Sequence, residues 1–310
     1  MDSYDLRQNA PHDLVVVGGG PAGVVAALRA RELGASVALV ERGPLGGSCI
    51  NDGCVPMRVL ARAARMVRDA AQFADYGLVG PSPRLDFPAL LEETRRVVAE
   101  THANKQLAEN LAEAGVTTLA GCGPARFVDE HTLALGDGRL VRAERFVLSV
   151  GGRARALDFP GAEHAIGVTE IWSLPQLPAS TVIIGASATG CQLASVLAAF
   201  GSQVTLLEIA PRVLPGADPV VSAELDAALA ERGLGVEASL RAVERIDRRP
   251  DGLHVTYAGA GGPRTARADL VVRAAGWPAD TASLELEKAG VKKTRGGFVE
   301  VDERLQTTAP

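Results

Sequence analysis

The stretch Gly46-Gly47-Ser48-Cys49-Ile50-Asn51-Asp52-Gly53-Cys54-Val55-Pro56 holds the residues of this chain best suited to chemistry. Two cysteines in a C-x4-C spacing can open and close a disulfide or bind a soft metal ion. A chain of cytosolic character has little structural use for such a pair, so redox or metal chemistry is the better reason for it. A structural zinc site needs two further ligands. Cys122 and Cys191 stand alone, and His12, His102, His131, His164 and His254 show no ligand spacing. No resident metal is therefore assigned, the two lone cysteines read as small buried hydrophobes, and no histidine receives a role. Cys54 precedes a predicted helix over 56–74 and is followed by Arg58. A helix N-terminus and a nearby cation both favour a thiolate, the form that attacks disulfides and binds soft metals.

The elements that position this pair lie just upstream. Asp13 to Val17 reads as a buried parallel strand, Gly18-Gly19-Gly20-Pro21-Ala22-Gly23 as a turn, and Pro21 to Leu33 as an Ala-rich helix ended by Gly34. Ser36 to Val40 forms the next strand, closing on Glu41 and Arg42. Strand, G-x-G-x-x-G, helix, strand, acid is the dinucleotide-binding pattern. Gly18 permits the tight turn, Gly20 lets the backbone approach a pyrophosphate, Gly23 lets helix and strand pack closely, and the acid accepts ribose hydroxyls. The helix N-terminus faces the phosphates.

A second copy follows. Thr181 to Ile184 is a strand, Gly185-Ala186-Ser187-Ala188-Thr189-Gly190 the turn, and a helix runs to about Phe200. Val204 to Leu207 is the next strand and Glu208 closes it. Ser187 stands where the second glycine belongs and narrows the room for a pyrophosphate. Glu208 would accept from a ribose 2′-OH and repel a 2′-phosphate, which favours NADH over NADPH.

Two such modules with C-x-N-x-G-C-x-P after the first resemble the flavin-dependent pyridine nucleotide–disulfide oxidoreductases, among them the dihydrolipoamide dehydrogenase, mercuric reductase and glutathione reductase types. The resemblance runs from about Asp13 to Pro310, and the cysteine run is its most specific part. It implies FAD in the first module and NAD(P)H in the second, with electrons passing from nicotinamide through flavin to a Cys49–Cys54 disulfide. Cys49 would be the thiol that meets the substrate, a small disulfide or a soft metal ion, and Cys54 the thiol against the flavin. Gly47 and Ser48 fall in the cofactor-binding run. Gly123-Pro124-Ala125 would contact the adenine. Ser149-Val150-Gly151 replaces the usual Ala-Thr-Gly, and Leu270 to Gly276 would close the second module.

Three departures stand out. Met57-Arg58 replaces the family's Ser-Lys or Thr-Lys, and Gln192 replaces a Glu past the second glycine turn. That Lys and Glu pair beside the flavin in relatives, so an Arg58 and Gln192 combination keeps the cation, loses the anion and would stabilise reduced flavin. Arg is also planar and bulkier than Lys. The third departure is length. The family continues past Pro310 into a flavin-contacting Asp and an interface domain that builds a homodimer and donates a His–Glu pair. The resemblance thus implies either a truncated form of a longer homodimeric enzyme or a naturally shortened protein.

The remaining pattern agrees with an α/β fold of two Rossmann-like domains, parallel sheets with β-meanders, the FAD domain at 1–155 plus 277–310 and the NAD(P)H domain inserted at 156–276. A single helix is predicted over 89–114, a hairpin over 132–141, a helix over 219–232, and short strands over 236–257 with a turn at 259–263. The chain has 310 residues, 47% of them hydrophobic, and a formal net charge of −5. That balance argues against a nucleic-acid partner. No apolar run is long enough for a membrane span, and Met1-Asp2-Ser3-Tyr4-Asp5 carries no signal-peptide blocks, so a cytoplasmic protein is expected. Two other readings remain open: a non-catalytic nucleotide-binding relative whose cysteines sense redox state, and an NADH oxidase or diaphorase with idle cysteines. The low-molecular-weight thioredoxin reductases carry C-x-x-C in the second module, and the placement here argues against them.

Overall fold

The computed structural model describes residues 11–81 and 83–310. The segment 1–10, read above as lacking signal-peptide blocks, lies outside them.

The first Gly-rich module runs β1 (His12–Val17), α1 (Pro21–Glu32), β2 (Val37–Glu41), α2 (Gly47–Asn51), α3 (Cys54–Ala71), α4 (Phe87–Lys105), α5 (Leu107–Glu113), β3 (Thr117–Ala120), β4 (Arg126–Asp129), β5 (Thr132–Ala134) and β6 (Leu140–Leu148). The rest runs β7 (Ile166–Gly167), β8 (Ser180–Ile184), α6 (Ala188–Ala199), β9 (Gln203–Leu207), α7 (Pro219–Glu231), β10 (Gly235–Glu237), β11 (Ala242–Arg249), β12 (Gly252–Gly259), β13 (Gly262–Ala268) and β14 (Leu270–Arg273).

Three sheets result. The first has strand order β3-β2-β1-β6-β5-β4, the second β10-β9-β8-β14-β7, and the third β11-β12-β13. β1 pairs in parallel with β2 and β6, and β8 pairs in parallel with β9 and β14. This is the expected α/β architecture of two Rossmann-like parallel sheets with antiparallel meanders. Continuous β-branched runs form the central strands because both faces are covered. Val15 and Val16 are fully buried, as are Ile183 and Val272.

By internal contacts the chain forms two compact units. One comprises Met1–Val55, Val98–Arg153 and Pro278–Pro310, the other Pro56–Val97 and Ala154–Trp277. Residues 56–97 belong to the second because α3 and the start of α4 turn an apolar stripe into its core. Met57, Leu60, Phe87 and Leu91 pack there with Ile171, Leu193 and Leu197.

Several local expectations change. The helix predicted over 89–114 is two helices, broken where Gln106 takes φ +46°. A residue in the left-handed region cannot continue a right-handed helix. The predicted hairpin at 132–141 forms, but its second strand does not stop at Val141. β6 is one nine-residue strand whose first half pairs antiparallel with β5 and whose second half pairs parallel with β1. The expected turn at 259–263 narrows, because Gly259 and Gly262 are paired across β12 and β13 and Pro263 sits in β13. β13 is an edge strand of its sheet, where a missing N–H is tolerated.

Candidate functional site

The first glycine turn is built by close approach. Gly18 has φ +111°, and a Cβ there would lie 2.2 Å from the Ser149 carbonyl oxygen. A Cβ on Gly23 would lie 1.8 Å from the Gly18 carbonyl oxygen. Neither position admits any other residue without backbone movement. Gly20, the N-cap of α1, makes no side-chain cap, Pro21 and Ala22 open the helix, and no acidic residue occupies its first turn. The first amides of α1 are therefore available to an anion. Glu41 closes the loop beneath: its carboxylate accepts from the Gly19 amide at 2.6 Å and from the Gly43 amide at 2.9 Å. Gly18, Glu41, Arg42, Gly123, Ala125 and Val150 line one cavity. Ser149 donates its amide to Val17, and Gly151 accepts from the Asp280 amide, which holds the end of β6 beside β1.

Asp280 is a residue that the sequence pattern did not single out. Its carboxylate lines the same cavity, is almost wholly buried, and receives Arg42 at 2.6 Å and Arg153 at 3.7 Å. It carries no recognisable motif, and only the return of the chain after Trp277 brings it to Arg42.

The second turn repeats the geometry. Gly185 has φ +108°, with a hypothetical Cβ 2.5 Å from the Ala274 carbonyl oxygen, and one on Gly190 would lie 1.9 Å from the Gly185 carbonyl oxygen. Ser187 takes φ −73° and ψ −177°, close to the −74° and −179° of Gly20, so the serine leaves the backbone path unchanged. Ala188 and Thr189 open α6. Glu208 is buried and accepts from the Ala186 amide at 2.6 Å and the Ala210 amide at 2.8 Å. Gly185, Ser187, Glu208 and Gly276 line a cavity of about 520 Å³ with Arg155 and Ile209. Nearby, Arg212 donates through Nε to Ser222 Oγ and through one terminal nitrogen to the Pro215 and Ala217 carbonyls.

The cysteine pair stands on the first turn. The Gly46 amide donates to the Gly19 carbonyl at 2.8 Å, and a Cβ on Gly47 would lie 2.7 Å from Gly20 Cα. Cys49 therefore rides on α2, a helix seated against the G-x-G-x-x-G turn, with Ser48 exposed on its other side. Cys54 does more than precede a helix: it is the first residue of α3 and is exposed. The two thiols are free. Burial pushes the Cys49 thiol above its ordinary pKa, the neighbouring Cys54 adds to the rise, and Lys105 opposes it. Burial also raises the Asp52 carboxyl, against a Ser48 hydrogen bond and the Arg42 charge.

Asn51 links this loop to α4. Its amide nitrogen donates to the Pro44, Leu45 and Gly47 carbonyls, at 3.4, 3.2 and 3.0 Å, and its Oδ1 meets His102 Nε2 at 2.8 Å. His102 and Lys105 are the residues that sequence spacing left without a role. Arg58 and Gln192 are both exposed, on α3 and α6, and no hydrogen bond joins them. Cys122 and Cys191 are buried. Among the described residues, no group of three or more His, Cys, Asp or Glu side chains could hold a metal ion, and no helix is long and apolar enough to cross a membrane.

The described residues thus hold two glycine turns of dinucleotide-binding geometry, with a cysteine pair seated on the first. The model of the pyridine nucleotide-disulphide oxidoreductase family matches residues 12–310, and this chain belongs to that family. The dihydrolipoyl dehydrogenase of Geobacillus stearothermophilus is 32% identical over 302 residues, covering 96% of this chain and 63% of the relative. The mercuric reductase of Streptomyces lividans is 35% identical over 315 residues, covering 98% and 65%. Among solved structures, the HOCl-induced flavoprotein disulfide reductase RclA from Escherichia coli superposes with a TM-score of 0.80 at 28% identity, over 96% of this chain and 64% of that one. The chain thus spans about 63% of the length of the dihydrolipoyl dehydrogenase it matches.

Proposed function

We propose that this chain carries the nucleotide and redox centres of an FAD- and NADH-dependent reductase whose acceptor is a small disulfide or a soft metal ion, homodimeric in its full-length form. The reading rests above all on the seating of the Cys49 helix directly upon the first dinucleotide turn. We assign FAD to the first turn, in a domain bounded near residues 155 and 277, and the nicotinamide nucleotide to the second, between those limits.

The residues present fit both groups. Each turn offers uncapped helix amides without an acidic side chain in the first turn. At Gly20 the nearest heavy atom to a Cβ would be Gly47 Cα at 3.7 Å, which leaves an open cradle for a pyrophosphate. Glu41 and Glu208 bind loop amides with one lone pair of each oxygen and retain others for ribose hydroxyls. A 2′-phosphate would meet the buried Glu208 carboxylate. That charge supports NADH over NADPH.

FAD, when bound, supplies the two-electron relay between reduced nicotinamide and the cysteine pair. Reduction of a Cys49–Cys54 bond takes two electrons and two protons and leaves two thiols. Cys49, as thiolate, attacks one sulfur of a substrate disulfide and the other sulfur leaves as a thiol. Cys54 then displaces the substrate sulfur from Cys49 and re-forms the internal bond. Because the Cys49 pKa is raised, its thiolate appears at higher pH than that of an ordinary cysteine. A soft metal ion would instead meet the two sulfurs as ligands.

The test is an anaerobic NADH titration of the flavin-loaded chain. A long-wavelength absorbance should grow in and vanish in Cys54→Ser. Flavin that reduces with no such band would exclude a Cys54–flavin contact and leave the diaphorase reading.

A further inference from the structure

We propose that the last turn of α4 controls the cysteine pair, with His102 as a positioning residue acting through Asn51. The inference rests on the redox reading of Cys49 and Cys54.

α2 has only five residues, too few to hold a helix by its own hydrogen bonds. Its geometry must come from its surroundings. Below, Gly46 is tied to Gly19. Above, Asn51 gathers the loop by donating to the Pro44, Leu45 and Gly47 carbonyls. With its amide nitrogen so used, Asn51 Oδ1 is an acceptor, and His102 Nε2 must be the donor. That bond, at 2.8 Å and half-buried, anchors the loop to an 19-residue helix that is well packed elsewhere. The helix keeps its backbone hydrogen bonds through this turn, where the His102 carbonyl accepts from the Gln106 amide at 3.1 Å. The last turn of α4 therefore supplies the hydrogen bond that holds the cysteine loop from above.

Closing the disulfide requires Cys49 Sγ to meet Cys54 Sγ at a narrow distance and dihedral. A loop held by Asn51 and His102 presents Cys49 in one arrangement. A loop released from His102 samples several, and the internal bond forms less readily. Cys54 begins α3 and does not share this support.

The experiment equilibrates the purified full chain with reduced and oxidised glutathione and counts the Cys49–Cys54 bond by peptide mass. The balance is simple: one oxidised glutathione takes two electrons, the protein gains one S–S bond, and the two thiol hydrogens end on two reduced glutathione molecules. His102→Ala should lower this equilibrium constant about fivefold, the worth of one hydrogen bond. His102→Gln, which keeps an N–H donor at similar reach, should restore it to within about twofold. An unchanged constant in His102→Ala, or an equal loss in the Ala and Gln variants, overturns the positioning role. A wild-type chain that forms no Cys49–Cys54 bond overturns the redox reading and this inference with it.

Discussion

The two glycine turns of this molecule are nearly superimposable in backbone and different in what rests on them. Both use a glycine near φ +110° against the carbonyl of a neighbouring strand, and both use a last glycine whose Cβ would fall within 2 Å of the first glycine's oxygen. Both close with a glutamate that accepts from one loop amide and one amide two residues further on. The middle position separates them. At Gly20 another backbone, that of Gly47, lies against the turn, whereas Ser187 faces an open cavity of about 520 Å³. The middle glycine of such a turn is usually explained by the ligand. In the first turn the steric demand falls instead on the element seated against it: a Cβ on Gly20 would meet Gly47 Cα at an ordinary 3.7 Å, whereas one on Gly47 would lie 2.7 Å from Gly20 Cα. The second turn carries no such element and accommodates a serine.

This contrast can be broken by substitution. The largest effect belongs to the shared feature. Gly23→Ala and Gly190→Ala each force a carbon into a backbone oxygen and should each cost about 3 kcal/mol of stability. Thermal unfolding with flavin and NADH binding reads the outcome: Gly23→Ala should lose flavin, whereas Gly190→Ala should keep flavin and lose NADH. Loss of both ligands in both variants would deny the turns separate ligands. Next comes the asymmetric position. Gly47→Ala puts a carbon 2.7 Å from Gly20 Cα; it should weaken flavin binding about tenfold, a little over 1 kcal/mol, and expose Cys49 to alkylation. Ser187→Gly should change NADH affinity by less than about threefold, since it removes only a hydroxymethyl group from an open wall. Equal effects from the two would mean that the seating of the cysteine helix does not constrain the first turn. The smallest effect is electronic. Arg58→Lys combined with Gln192→Glu adds one negative charge and should lower the flavin potential by about 30 mV. A potential unmoved in redox titration would make both positions neutral.

Much of this architecture is local and therefore legible. Glycines at 18, 20 and 23 and again at 185 and 190 reveal turns because only glycine tolerates those approaches, and the strand runs before them are β-branched and apolar throughout. The C-x-N-x-G-C-x-P run marks the cysteine loop for the same reason: its spacing is a short-range property. The breaks in the reading are long-range. Nothing around Gln106 resembles a helix stop, yet the chain turns there into the left-handed region and separates α4 from α5. β6 reads as two strands because its two halves answer to different partners, β5 and β1.

What the amino-acid order determined by itself is the pair of dinucleotide modules, the acid that ends each, and the cysteine loop after the first. Tertiary structure alone decided which side chains attend that loop. His102 lies 51 positions from Asn51, and Asp280 reaches Arg42 only after the chain has built an entire second sheet. Hydrogen bonds and ion pairs of that kind have no period and no spacing to read. They exist because packed helices and sheets bring distant side chains within 3 Å, and the chain must fold before they can be seen.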